Sequence, residues 1–375
     1  MRRWLANVFR LGLKEFASLG SDLVLVVFIV YSFSLSIYSV ATGVKTDVAN
    51  SPVAVADSDQ SQLSGRLRDG FLRPYFRRPD LTDHADVDRH LDRGTYTLVL
   101  DIPPRFEADV LRGRVPALQL DIDATAMTQA GIGASYIQSI VDQETRGYLK
   151  THGIDAQLPV AAVTRAFFNP NLEGVRFHAV MAVLQNVTLL SILLVGAAVM
   201  RERERGTIEH LLVMPIRPSE IAAAKIWANA LVILVAAGLS LLVVVQQLLQ
   251  VPIEGSLTLF LFGTAVYLFA TTSLGILLAT IANTMPQFAL LAIPVFLVLN
   301  MLSGALSPLE SMPQVFQTAT QISPTMHYVK LAQAVLYRAA GFDVVWPHIA
   351  VLTVLGGAFL AIALARFRTM LAKSG

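Results

Sequence analysis

The sequence contains no cysteine, which excludes disulfides, thiolate metal sites and a cysteine nucleophile. It is also poor in charge: 15% of its 375 residues are Asp, Glu, Lys or Arg, against roughly a quarter in an ordinary soluble domain. No Gly-Lys pair occurs anywhere, so the phosphate cradle GxxxxGK[ST] is missing and any ATP chemistry has to come from another chain. A net charge of +2, with no basic tract interleaved with aromatics, excludes nucleic acid as a partner.

What the chain has in excess is apolar surface. Hydrophobic residues make up 54% of it, the mean hydropathy is +0.57, and the apolar residues come in blocks. Those at 23–41, 177–200, 226–249, 257–282, 288–306 and 348–365 hold no Asp, Glu, Lys or Arg. Crossing a bilayer core takes about 20 apolar residues in a helix, so the blocks predict an α-helical polytopic membrane protein with six transmembrane helices and lipid around it. With His178 and His348 only at their margins, the blocks offer no acid, base or nucleophile at membrane depth, which argues against a proton carrier or an intramembrane enzyme. They do hold amides and hydroxyls. Gln185, Asn186, Asn300 and Ser303 are candidates for lining a transport path, and interhelical hydrogen bonding explains the same residues equally well.

Residues 42–176 differ from the rest in composition. Strand-like runs at 53–56, 95–102 and 117–122 alternate with helical patterns at 60–72, 83–93, 104–113 and 127–150, which predicts an inserted α/β domain. Asp83 stands where an N-cap belongs and Pro104 where a first-turn proline belongs. Asp57, Asp59, Asp121 and Asp123 invite a metal reading, but turn and strand-end positions favour Asp for its own hydrogen bonds. We therefore expect no metal site. Before the first block, residues 1–22 mix Trp4, Leu5, Phe9 and Phe16 with Arg2, Arg3, Arg10 and Lys14, an amphipathic interfacial pattern whose charges also argue against a removable signal peptide.

The basic residues set an orientation. Six spans put both termini on one side together with the loop 201–225, and that side carries Arg2, Arg3, Arg10, Lys14, Arg201, Arg203, Arg205, Arg217, Lys225, Arg366, Arg368 and Lys373 against half as many acids. Basic flanks favour the cytoplasm, so both termini, the tail 367–375 and the loop 201–225 are expected there, and 42–176 in the periplasm of a bacterial inner membrane. In that loop Arg201, Glu202, Arg203, Glu204 and Arg205 leave the membrane, Gly206 breaks the helix, and Thr207 can cap a short helix carrying Leu211 and Leu212 before Pro215 ends it. Such a helix suits a groove on another protein. On the residues alone a solvated connector fits as well.

The run Arg201-Glu-Arg-Glu-Arg-Gly-Thr-Ile-Glu-His-Leu-Leu, with Glu209, Pro215 and Lys225, resembles the loop after the second span in ABC-2 type transporter permeases. The likeness extends to Phe168-Asn-Pro-Asn-Leu, Val251-Pro-Ile-Glu-Gly-Ser, Glu310-Ser-Met-Pro and Leu336-Tyr-Arg. Ala339 stands where that pattern usually has Gly. The resemblance implies a type V exporter-like fold with an elbow helix ahead of the first span, a coupling helix at 207–214 and a periplasmic helical hairpin at 307–341. It implies a permease subunit without enzymatic activity of its own, coupling ATP hydrolysis by a separate nucleotide-binding subunit, which holds the ATP and Mg, to export of a hydrophobic or amphipathic substrate. The second half is another copy or a related permease chain, as homodimer or heterodimer, and a periplasmic membrane-fusion adaptor is a further expected partner. The rival reading is a non-transporting sensor or assembly module using its periplasmic domain as a receptor.

Overall fold

The computed structural model describes residues 2–43, 51–71, 75–92, 95–96, 98–122, 127–154, 174–205, 216–304 and 313–374. Along the chain the elements are α1 (Arg2–Ser21), α2 (Leu23–Phe33), α3 (Leu35–Gly43), β1 (Val53–Asp57), α4 (Gln62–Asp69), β2 (Asp80–Leu81), a short 3₁₀ turn (His84–Asp86), α5 (Val87–Asp92), β3 (Leu98–Ile102), α6 (Phe106–Leu111), β4 (Gln119–Ile122) and α7 (Met127–Thr151). The second half adds α8 (Gly174–Glu204), α9 (Pro218–Leu239) running into a π-helical segment (Ser240–Leu248), α10 (Leu257–Ile281), α11 (Met285–Met301), α12 (Gln314–Thr320), α13 (Pro324–Arg338) and α14 (Phe342–Ser374). They form two compact units, one of Met1–Gly43 with Val175–Gly375 and one of Val44–Gly174.

In the first unit, five helices among the described residues are long and apolar enough to cross a membrane: Leu23–Gly43, Gly174–Glu204, Pro218–Leu248, Leu257–Ile281 and Phe342–Arg366. The fifth apolar block, 288–306, forms the shorter α11, with Pro294 inside it. Residues 305–306 of that predicted block lie outside the described residues. The Gly174–Glu204 helix buries 78% of its apolar window in the unit, while the first and last spans each bury 22%, so α8 is central and the outer spans turn apolar faces away from the protein. Asp22 caps α2 by accepting from the Leu25 amide at 3.2 Å, a strong start signal that fixes where the apolar helix begins.

Close approach at the centre depends on a glycine. A Cβ built on Gly275 of α10 would lie 2.7 Å from the Ile192 carbonyl oxygen and 3.2 Å from its Cα, so α8 and α10 touch backbone to backbone as small residues allow inside membranes. One turn away Ser191 donates to Thr271 at 2.7 Å. Gly275→Val is expected to force these helices apart at a cost of about 1–3 kcal/mol, visible as a lower melting temperature in detergent. Gly357, whose Cβ would meet nothing within 4 Å, is the control, and Gly357→Ala should melt with the parent. Equal melting of Gly275→Val and the parent would refute the close crossing.

Two prolines open helices in the 313–341 stretch. Pro313 is the N-cap of α12 and Pro324 the first residue of α13, where a missing amide hydrogen costs nothing. Helix α13 ends on Ala339 in the left-handed region, φ 52°, with the Ala340 amide reaching back to the Ala334 carbonyl at 2.9 Å. Glycine takes that conformation without strain, which explains why a glycine suits position 339.

The second unit is a four-stranded sheet in the order β2-β1-β3-β4. Strand β1 pairs in parallel with β2 and β3, Ala54 opposite Val99, and β3 pairs antiparallel with β4, Val99 opposite Asp121. Alternation divides β1 and β3 between two faces. Val53, Val55, Leu98 and Leu100 pack with Leu63, Leu67, Phe106, Val110 and Tyr148, while Ala54, Ala56 and Val99 pack with Val87. Strand β2, only two residues long, was not expected from the sequence. Helix α6 begins at Phe106 with Arg105 as its N-cap residue at φ 64°, so Pro104 lies ahead of the first turn and not in it, and Asp83 precedes the 3₁₀ turn without a side-chain cap bond. The carboxylates weighed as metal ligands serve the turns: Asp57 accepts from the amides of Asp59 and Gln60 and from the Ser64 hydroxyl, and Asp59 accepts from the Glu107 amide. Asp121 accepts from Gln119, and Asp123 lies outside the described residues.

Candidate functional site

Helix α8 continues past its apolar run into alternating charges. Successive residues of an α-helix step about 100° around the axis, so Arg201, Glu202, Arg203 and Glu204 face different neighbours, and each finds one. Arg201 pairs with the capping residue Asp22 at 3.1 Å. Arg203 donates to the Ala282 carbonyl and, at 3.2 Å, to Asn283. Glu204 accepts from the Met285 amide at 2.7 Å.

Glu202 meets Lys225 of α9 at 2.9 Å, and the same ammonium lies 2.7 Å from Glu15 of α1. Lys225 is 2% exposed. One buried cation thus ties three helices together, and its surroundings hold α1 against α9. Trp227 stacks on Phe9 at 5.9 Å between ring centroids and donates to the Val8 carbonyl. A Cβ on Gly12 would strike the Trp227 ring at 2.1 Å, so glycine lets the two helices close. Asn7 donates to Glu220 at 3.4 Å, and Glu220 accepts from the Arg217 amide at the start of α9.

Of the residues predicted to dock an ATPase, Arg201, Glu202, Glu204 and Lys225 are therefore brought to one end of the unit, on helices that flank 206–215. Arg205 closes the last turn of α8, its amide bonding the Arg201 carbonyl. Gly206, Thr207, Glu209, Leu211, Leu212 and Pro215 lie outside the described residues. The sequence reading passed over Glu15, Asp22 and Trp227. Glu15 was legible as an acid in a helix whose other charges are basic, but its partner is 210 positions away.

The polar residues of the spans divide. Gln185 donates to Asn300 at 3.3 Å, and these two line one cleft with Ser303, Thr188, Thr325 and Phe296. Asn186 points elsewhere, to the Ser32 carbonyl of α2. Room for the centre of a water molecule in the cleft is about 10 Å³, enough for about one water. Beside it, Tyr267 hydrogen-bonds Thr188 and Thr325 and stacks on Tyr328 at 3.9 Å. Burial pushes the Tyr328 hydroxyl far above the ordinary tyrosine range, keeping it a neutral partner for Thr264.

The comparisons extend along the chain. The family profile described as "ABC-2 family transporter protein" matches residues 23–365. The chain is 50% identical over 366 residues to "Inner membrane transport permease YhhJ" of Escherichia coli (strain K12), covering 98% of each. It is 28% identical over 326 residues to "Probable multidrug ABC transporter permease YbhR" of the same organism, covering 86% of this chain and 87% of that one. A more distant match, 25% identical over 198 residues, is "ABC transporter G family member 20" of Dictyostelium discoideum, covering 52% of this chain and 27% of that protein. With the profile spanning all the apolar blocks read from the sequence, this multi-pass chain belongs to the ABC-2 family of transporter proteins.

Proposed function

We propose that this permease is the membrane subunit of an ATP-driven exporter for hydrophobic or amphipathic compounds, working with a second copy or a related permease and with a separate ABC ATPase that holds ATP and Mg. In this reading six helices cross a bacterial inner membrane, α11 being the fifth in chain order, and both termini are cytoplasmic. The unit Val44–Gly174 stands in the periplasm, where a membrane-fusion adaptor can reach it, and 307–341 forms a helical hairpin on that side. The segment 207–214 is the coupling helix.

The observation that carries the reading is the buried Lys225 joined to Glu15 and Glu202. A force applied to 206–215 reaches α8 on one side and α9 on the other, and this cation fastens both to α1. The three helices then move together, which is what transmission from a docked ATPase into the membrane requires. The cleft at Gln185, Asn300 and Ser303 is the candidate path, with Asn186 in a supporting role at α2, and opening it means parting Gln185 from Asn300.

The chain, tagged and purified gently from bacterial membranes, is expected to bring down an ABC ATPase in equal amount, and ATP hydrolysis should disappear when that ATPase is stripped away. Recovery of a pure, folded chain with no ATPase under any mild extraction would favour the sensor reading. ATP binding by the isolated chain would also sink the proposal, because the chain has no phosphate-binding loop.

A further inference from the structure

His348 stands at the margin of the last apolar block, and the structure places it against His327, a residue the transport reading leaves unused. His327 lies in the first turns of α13 and is 8% exposed. Its Nε2 is 2.9 Å from the Gln321 carbonyl oxygen, so Nε2 carries a hydrogen and donates it. In the neutral ring Nδ1 is then a lone-pair acceptor, and Nδ1 of His348 lies 3.0 Å from it, donating.

The rings separate a shared proton from a chelated metal. Their centroids are 5.3 Å apart, which is the 3.0 Å nitrogen separation plus the two ring radii, so both centroids and both nitrogens lie nearly on one line. A metal would need both lone pairs aimed at a third point about 2.0–2.1 Å from each nitrogen, off that line. Collinear nitrogens share a hydrogen instead.

The charged neighbourhood is sparse. Lys330, on α13 itself, places a positive charge near His348. Helices α10 and α11, packed against α13, hold no Asp, Glu, Lys, Arg or His, and the titratable side chain α10 sends is Tyr267, bonded to Thr325. Helix α8 brings Arg176 to the Tyr337 end of α13, about 15 Å along the helix from His327, and His178 follows it. On α14, Asp343 lies five positions before His348, about 140° around the axis. Glu220 and Lys225 of α9 belong to the opposite end, where Lys225 lines a pocket with Ala363 and Leu364.

We propose that His327 and His348 form a proton-operated latch between α13 and the last membrane helix, closed while the pair lacks at least one ring proton and opened when both rings are protonated. With neutral rings the contact is N–H···N, and with one added proton it becomes charge-assisted and tighter. A second added proton leaves two N–H groups facing each other at 3.0 Å, with like charges and Lys330 alongside, so the contact breaks. The contact is therefore present on the alkaline side and lost as pH falls. The proposal rests on the geometry of these helices and not on what the chain transports.

Because the protein lacks cysteine, spin labels can be placed without removing any thiol, at exposed Thr318 of α12 and exposed Ala350 of α14. In the full-length Thr318→Cys/Ala350→Cys chain in lipid nanodiscs, the label separation is expected to be single at about pH 7.5 and to gain a longer distance only at about pH 4, below the ordinary histidine range, because the first ring's charge and Lys330 oppose the second proton. His327→Asn and His348→Asn each keep one amide-to-imidazole hydrogen bond and one titratable ring. Each should show the shorter distance at both pH values. A parent distance unchanged by pH would overturn the proposal, as would a longer distance appearing to the same extent in both asparagine variants. Transport is not measured, so neither result bears on the exporter reading.

Discussion

Lys225→Met is expected to destabilise the membrane unit by about 2–3 kcal/mol and to release α1 from α9, seen as a large fall in melting temperature in detergent and faster proteolysis of the first twenty residues. Removing one partner of a buried ion pair typically costs about 3–5 kcal/mol because the other charge stays buried without compensation. Here two carboxylates are left, and both have an oxygen within 3 Å of the same nitrogen, so they also repel each other. The lower figure reflects side-chain exposures of 14% for Glu15 and 22% for Glu202, which let water screen part of the loss. The triple variant Glu15→Gln/Glu202→Gln/Lys225→Met separates this account from a packing defect at position 225. It removes every charge of the cluster and should recover most of the melting temperature, because replacing a whole buried ion cluster by neutral groups is often close to neutral. A triple variant as unstable as Lys225→Met would show that the fit of the side chain at position 225, and not the charge cluster, sets the loss.

The same cluster shows where the sequence stopped being informative. The apolar blocks could be read because a charge at membrane depth is costly, so their boundaries are written in where Asp, Glu, Lys and Arg resume. The amphipathic α1 and the strands at Val53–Asp57 and Leu98–Ile102 could be read from periodicity. Which charge pairs with which could not, because Glu15 and Lys225 are joined only by the tertiary fold. The amides give a second case. Gln185 and Asn186 are adjacent and looked equivalent, yet the 100° step between them sends one to Asn300 and the other to the Ser32 carbonyl. Strand β2 is too short to display alternation at all, and its place in the sheet comes from its pairing with Ala54 and Val55 of β1.

Leu211→Asp/Leu212→Asp is expected to abolish ATPase association and transport while leaving the permease folded at its normal level. The reasoning starts from Thr207-Ile-Glu-His-Leu-Leu, in which a hydroxyl able to cap a helix precedes Ile208, Leu211 and Leu212 at the three- and four-residue spacing of one helix face. The elements on either side have contacts of their own. Arg201 is held by Asp22, Glu204 by the Met285 amide, and Arg217 opens α9 with its amide on Glu220. Neither leucine takes part in these three contacts, so melting is expected to match the parent. If the leucines seat in a groove of the ATPase, each aspartate brings an unpaired carboxylate into an apolar site, at several kcal/mol of docking free energy for the pair. A loss of about 3 kcal/mol weakens association more than a hundredfold. The measurement compares membrane abundance, ATPase retained on the tagged permease and transport in the same vesicles. Full association and full transport by a well-expressed double variant would make 206–215 a solvated connector, and the coupling role would then have to be sought in the exposed surface of α1.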